Sequence, residues 1–230
     1  LKRRLRYRAE QLLARRALHL LFGCEVSGLA HVPRDGACLI ASNHKSYLDP
    51  PLIGSHLPRE IRYFAKKELF RIPILGPVIR DCGSIPVDRV GFDRAAVAQA
   101  VRVLRNQEAL LLFPEGTRIR RPGLARPKIG VALLALESGA PVIPAYISGS
   151  WSPRRSLLRR VPIRLIFGPA MRFEAPEGRA ERRSRYPEIA AEVMDAIRKI
   201  AAAHGDRFPP ASGDAVRGED PTTAGGGERP

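Results

Sequence analysis

From Val26 onward, short apolar runs alternate with stretches of helical periodicity, and this alternation restricts the fold more than any other feature of the chain. Residues 37–42, 61–65, 109–113, 141–147 and 163–167 have strand length, and three of these runs lead directly into Asn43, Pro114 and Gly168. Between them the spacing predicts a short helix containing Leu52 and Ile53, then helices over 76–81, 92–106 and 129–138. Val97, Val101 and Leu104 share one face of the third of these. A last helix is predicted over 186–204, with Pro187 in its first turn and Ile189, Val193, Ile197 and Ile200 along one side. Strands alternating with helices imply an α/β fold, a largely parallel central sheet flanked by helices. In such sheets ligands bind beyond the carboxyl ends of the strands.

Two polar segments fall at such ends. The run ending at Ser42 leads into Asn43-His44-Lys45-Ser46-Tyr47-Leu48-Asp49, and the run ending at Phe113 leads into Pro114-Glu115-Gly116-Thr117-Arg118. The first sets an imidazole and a carboxylate with four residues between them. That pair suits a histidine that takes a proton from an alcohol, with Asp49 orienting Nδ1–H while Nε2 faces the hydroxyl. Asp49 beside Pro50-Pro51 also reads as a helix N-cap, and the two roles are compatible. The second segment joins a flexible Gly to a hydroxyl, a carboxylate and a guanidinium, a set able to grip a polar, phosphorylated substrate. Taken alone it also reads as a turn after a strand. Neither segment has further His, Cys or carboxylates at metal-ligand spacing, which disfavours a zinc hydrolase.

The two segments resemble the NHxxxxD and (F)PEGTR signatures of the 1-acylglycerol-3-phosphate acyltransferase family of glycerolipid acyltransferases. Between them, Gly83-Ser84-Ile85-Pro86-Val87-Asp88-Arg89 resembles the family's second block, and after them Ala140-Pro141-Val142-Ile143-Pro144 resembles the fourth. The blocks keep the family's order, and the resemblance runs from about Val26 to about Met171. It implies a single acyltransferase domain over 25–204, with His44 as catalytic base and Asp49 as its partner. It also implies that Arg89, Glu115, Gly116, Thr117, Arg118 and Lys128 bind the acceptor's glycerol-phosphate portion. Arg120, Arg121 and Arg126 either serve the phosphates of coenzyme A or a carrier protein's arm, or are ordinary loop charge. The segments 66–70 and 72–76 also resemble the family, either lining the route between base and phosphate site or belonging to the core.

The implied reaction moves a fatty acyl group from acyl-CoA or acyl-carrier protein to the sn-2 hydroxyl of 1-acylglycerol-3-phosphate, in phospholipid synthesis. Another lyso-lipid or glycerol-3-phosphate is the alternative acceptor. No metal or prosthetic group is implied.

Charge bears on partners. The chain carries 39 Lys and Arg against 23 Asp and Glu, a formal net charge of +16 that attracts polyanions. Without an RNA-binding aromatic block, a helix-turn-helix signature or zinc-finger spacing, no nucleic acid is expected, and a basic binding protein is the non-enzymatic alternative. An anionic membrane surface is the expected partner beside lysophosphatidate and the acyl donor. Residues 1–24 fit that role: Leu5, Ala9, Leu12, Leu13, Ala17, Leu20 and Leu21 recur at helical spacing among seven Lys and Arg. The alternative is a helix packed on the domain with its charged side in water. No apolar run approaches the ~20 residues of a membrane span, and no signal peptide is read, so a peripheral position on the cytoplasmic face is expected. Cys24, Cys38 and Cys82 form no disulfide pattern and fit a reducing compartment, with Cys38 and Cys82 read as core. After Gly205 the Pro- and Gly-rich composition predicts a disordered tail over 205–230.

Overall fold

The computed structural model describes residues 2–88, 92–151, 157 and 162–206, with the side chains of the first helix given from Tyr7. Arg89 and the tail beyond Asp206 lie outside the described residues. Helix α1 (Lys2–Phe22) leads through β1 (Glu25–Ser27) and a 3-10 turn to β2 (Cys38–Ser42). Then follow α2 (Asp49–His56), β3 (Ile61–Lys66), a 3-10 turn at Lys67–Arg71, α3 (Leu75–Asp81), β4 (Ile85–Val87) and α4 (Arg94–Arg105). The chain continues through β5 (Ala109–Leu112), α5 (Gly130–Ser138), β6 (Val142–Ser148), β7 (Arg164–Phe167) and α6 (Arg179–Ala203).

The seven strands form one sheet in the order β1-β7-β6-β2-β5-β3-β4. β6, β2, β5, β3 and β4 are parallel, whereas β7 runs antiparallel to β6 and carries β1 parallel to itself. β2 sits centrally, bonded to β5 on one side and β6 on the other, and all five of its residues are buried. Strand alternation divides its apolar side chains between two cores. Leu39 and Ala41 join Leu110, Val142 and the helices α4, α5 and α6 on one face. Cys38 and Ile40 join Leu111, Ile143 and Ala145 with Leu52 and Ile53 of α2 on the other. Helices therefore cover both faces of a mostly parallel sheet, the α/β arrangement expected. At one edge, Gly28 holds a φ of 73° and any Cβ there would lie 2.0 Å from the Phe167 carbonyl oxygen.

Several boundaries differ from the sequence reading. The last helix begins at Arg179, so Pro187 lies inside it rather than in its first turn. Pro187 is exposed, which lets water satisfy the carbonyl left without an N–H partner. The edge strands β1 and β4 span three residues each and were not read as strands. Pro86 is tolerated in β4 because β4 closes the sheet at that side. Cys38 is fully buried but Cys82 only half-buried. Burial pushes the Cys24 and Cys38 thiols up to about 11, too high for a thiolate at neutral pH.

Helix α1 departs most. It packs against α2 with Tyr7, Ala14, Leu18 and Phe22 turned inward, and Gln11 Nε2 donates to the carbonyls of Gly54 and Leu57 at 2.8 and 2.9 Å. The predicted apolar stripe points the other way: Leu13 and Leu20 are each 71% exposed, and Leu12 and Leu21 about half. The helix has two apolar sides, and the sheet domain uses the smaller one. Among the described residues no helix is long and apolar enough to cross a membrane.

Candidate active site

The site is built where β2 and β5 end side by side. Asn43 ties the first of these ends to β6: its Nδ2 donates to the Ile147 carbonyl at 2.9 Å and its Oδ1 accepts from the Ile147 N–H at 2.8 Å. The chain then turns, and Asp49 opens α2 under that turn with Pro50 and Pro51 in the first positions. Asp49 Oδ2 accepts the backbone N–H groups of Lys45 and Ser46 at 2.7 and 2.8 Å, and lies 2.9 Å from His44 Nδ1. An oxygen already taking two N–H donors is an acceptor, so the third partner, His44 Nδ1, carries its proton and donates it. That fixes the tautomer and leaves Nε2 with its lone pair. Asp49 is fully buried, and its Oδ1 has no partner. The His44 side chain is 8% exposed and stacks on Phe113, with ring centroids 3.9 Å apart and planes inclined by 14°.

The segment after β5 closes into a loop. Its ends meet where the Lys128 N–H donates to the Pro114 carbonyl at 2.8 Å. Three further ties stitch it to the histidine turn. Ile119 N–H donates to the His44 carbonyl at 2.8 Å, His44 N–H donates to Glu115 Oε2 at 2.8 Å, and Lys45 Nζ reaches into the loop to the carbonyls of Arg121 (2.8 Å) and Gly123. Glu115 Oε1 accepts from Ala125 N–H at 2.9 Å inside the loop. Burial pulls the Lys45 ammonium below the usual lysine range and raises the Glu115 carboxyl, against the lowering effect of its two N–H donors.

The expected site residues therefore separate. His44 and Asp49 are brought together and buried. Gly116, Thr117 and Lys128 are exposed, and Arg118 is half-buried. Gly116 holds a φ of 72° and lies against the Lys128 stem, where a Cβ would be 2.8 Å from two of its carbons. Arg118 lies over the exposed ring of Tyr47, 3.3 Å from its centroid. Glu115 corrects the sequence reading of a substrate contact: it is 3% exposed, and each oxygen already serves a backbone N–H. Sequence reasoning gave Phe113, Lys45 and Tyr47 no role. Only Phe113 carried a signal, as the first residue of the second signature. Among the described residues no group of three His, Cys, Asp or Glu side chains is placed to hold a metal ion.

The sequence and the sheet have counterparts among known proteins. The chain belongs to the acyltransferase family, whose sequence profile matches residues 23–148, and within it to the glycerolipid acyltransferases. It is 30% identical over 152 residues to the 1-acyl-sn-glycerol-3-phosphate acyltransferase of Bacillus subtilis, covering 66% of this chain and 75% of that one. It is 29% identical over 184 residues to the enzyme of the same name from Pseudomonas aeruginosa, covering 76% and 70%. The crystal structure of the 1-acyl-sn-glycerophosphate (LPA) acyltransferase PlsC from Thermotoga maritima superposes with a TM-score of 0.71 over 90% of this chain and 83% of that one. Sequence identity there is 23%, so that likeness speaks for the fold.

Proposed function

We propose that the protein acylates the sn-2 hydroxyl of 1-acylglycerol-3-phosphate, taking the fatty acyl group from acyl-CoA or acyl-carrier protein. The observation that carries this reading is the His44–Asp49 pair, held in the tautomer that leaves Nε2 free to act as base. Nε2 takes the hydroxyl proton while the oxygen attacks the thioester carbonyl, forming a new C–O bond and a tetrahedral oxyanion. The oxyanion collapses, the C–S bond breaks, and the imidazolium returns its proton to the departing thiolate. Asp49 stabilises the imidazolium between those steps. Because the acceptor oxygen attacks directly, no acyl-enzyme forms. Arg118 and Lys128, with Gly116 and Thr117, receive the acceptor phosphate, and Glu115 holds their loop to the histidine turn. A role for Arg89 rests on its motif alone.

The relatives' names support the acceptor, and the cationic loop beside the base supports a phosphate on it. The exposed leucines of α1 support attachment to an anionic membrane surface, apolar side chains in the acyl boundary and arginines at the phosphates.

Free-thiol release from palmitoyl-CoA, with and without lysophosphatidate, tests the reading for the wild type and His44→Ala. Acceptor-dependent release that disappears in the variant is the expected result. Equal release without acceptor points to a thioesterase. No release with any lyso-lipid or with glycerol-3-phosphate, from CoA or carrier-protein donors, sinks the enzymatic reading in favour of a basic binding protein.

A further inference from the structure

The loop that closes over the histidine turn carries more positive charge than one acceptor phosphate requires. Between Glu115 and Glu137 the chain has no acidic residue, yet it has Arg118, Arg120, Arg121, Arg126 and Lys128. These cations fall into two groups. Arg118 lies over Tyr47 and Lys128 runs along Gly116, both next to the start of the loop. Arg120, Arg121 and Arg126 are exposed on the limbs beyond, and among the described residues none of the three makes an ion pair.

Ordinary surface arginine would leave such a loop free to relax and spread its charge. Here the loop backbone is held in place. The loop ends are closed by the Lys128–Pro114 bond, its far limb is tied to Glu115, and a sixth cation, the Lys45 ammonium, is inserted on the carbonyls of Arg121 and Gly123. A compact loop with joined ends is a recurrent functional element. Like charges carried on one such frame are relieved when an anion arrives, and guanidiniums favour a phosphate.

Resting on the acyltransferase reading above, we infer that Arg120, Arg121 and Arg126 form the docking site for the phosphate-bearing end of the acyl donor. The group recognised is the phosphate of the phosphopantetheine arm, common to acyl-CoA and acyl-carrier protein. The arm is long, so a phosphate on the outer limbs leaves the thioester free to reach His44. The loop then divides the substrates, acceptor phosphate on its inner cations and donor phosphate on its outer ones.

The test compares the wild type with the triple variant Arg120→Glu/Arg121→Glu/Arg126→Glu, and with the charge-retaining triple Lys variant, on three donors. These are palmitoyl-CoA, palmitoyl-carrier protein and S-palmitoyl-N-acetylcysteamine, whose thioester lacks any phosphate. The Glu variant is expected to raise the KM for a phosphate-bearing donor about tenfold or more. Its turnover of the phosphate-free thioester should stay at the wild-type value, its KM for lysophosphatidate should rise less than that for the donor, and the Lys variant should recover most of the donor KM. A rise for both natural donors assigns the shared phosphate, and a rise for one alone identifies that donor as the source. Donor KM values within twofold of wild type, or equal losses on the phosphate-free thioester, overturn the inference. Absence of acceptor-dependent turnover in the wild type with every donor is a different result, and removes the acyltransferase reading itself.

Discussion

The two sides of the site are made on opposite plans. In the histidine turn, polar atoms are spent on one another: Asn43 on Ile147, His44 on Asp49 and Glu115, and Asp49 on two backbone N–H groups as well. In the loop from Gly116 to Lys128 the backbone is tied down while the cationic side chains are left largely to solvent. A group that moves a proton needs a fixed tautomer and a fixed direction, which burial and hydrogen bonds supply. A group that collects a charged substrate from water must stay wet until the substrate comes. The difference predicts that changes in the turn act on kcat and changes in the loop on KM.

The largest expected effect is in the turn. His44→Ala should lower kcat on the order of 10²–10⁴-fold with the lysophosphatidate KM little changed, because the base is lost and the loop is not. Asp49→Asn should lower kcat by roughly 10²-fold or more, since an amide carries no charge to stabilise the imidazolium. Steady-state kinetics with both substrates varied reads these directly. A Kd for lysophosphatidate that rises in step with the loss of turnover would break the division between turn and loop.

Next comes Arg118→Ala, expected to raise the lysophosphatidate KM about 10- to 100-fold, as for loss of a charge-assisted contact, while kcat stays within a few-fold. If kcat fell and KM held, Arg118 would belong with the chemistry.

These contrasts show what the sequence could and could not carry. Residues 37–42 and 109–113 were legible as strands because both faces of a central parallel strand are covered, which leaves an apolar run. The three-residue edges β1 and β4 have no such run. The His44–Asp49 pairing was legible because both residues lie in one turn, and spacing alone brings them together. Glu115 was not: its main partner, the His44 N–H, is 71 positions away, and nothing in Pro-Glu-Gly-Thr-Arg distinguishes a carboxylate facing substrate from one facing backbone. Nor could periodicity say which apolar side of α1 docks. That choice was set by the Gln11 bonds to the end of α2 and by the fit of Phe22 into the core behind β2.

Glu115 tests whether turn and loop are one unit. Glu115→Gln keeps the shape but sets an amide NH₂ against one of the two N–H donors, at a cost of about 1–3 kcal/mol of stability near neutral pH. The dependence on pH has a definite sign. Burial raises the folded carboxyl above the ordinary glutamate value, so the folded chain binds more protons between the two values. The stability this confers is fully present below the unfolded value and is lost as pH rises through the folded one. Gln does not titrate. The wild type's lead in urea midpoint should therefore narrow as pH climbs through that window, and a constant lead would mean that the carboxyl is not held as described.

The smallest effect concerns Tyr47, which belongs to the turn yet serves the loop. Its ring is exposed and lies under the Arg118 guanidinium. An exposed cation–π contact is worth about 0.5–1 kcal/mol, enough to bias where the guanidinium waits but not to bind a substrate. Tyr47→Ala should raise the lysophosphatidate KM about two- to fivefold through Arg118, with kcat unmoved, and Tyr47→Phe should restore it because the face of the ring is retained. In an Arg118→Ala background the Tyr47→Ala change should do nothing more, since its effect passes through that one side chain. Additive losses in the double variant would show that Tyr47 touches the acceptor itself, and the turn would then share the work of binding.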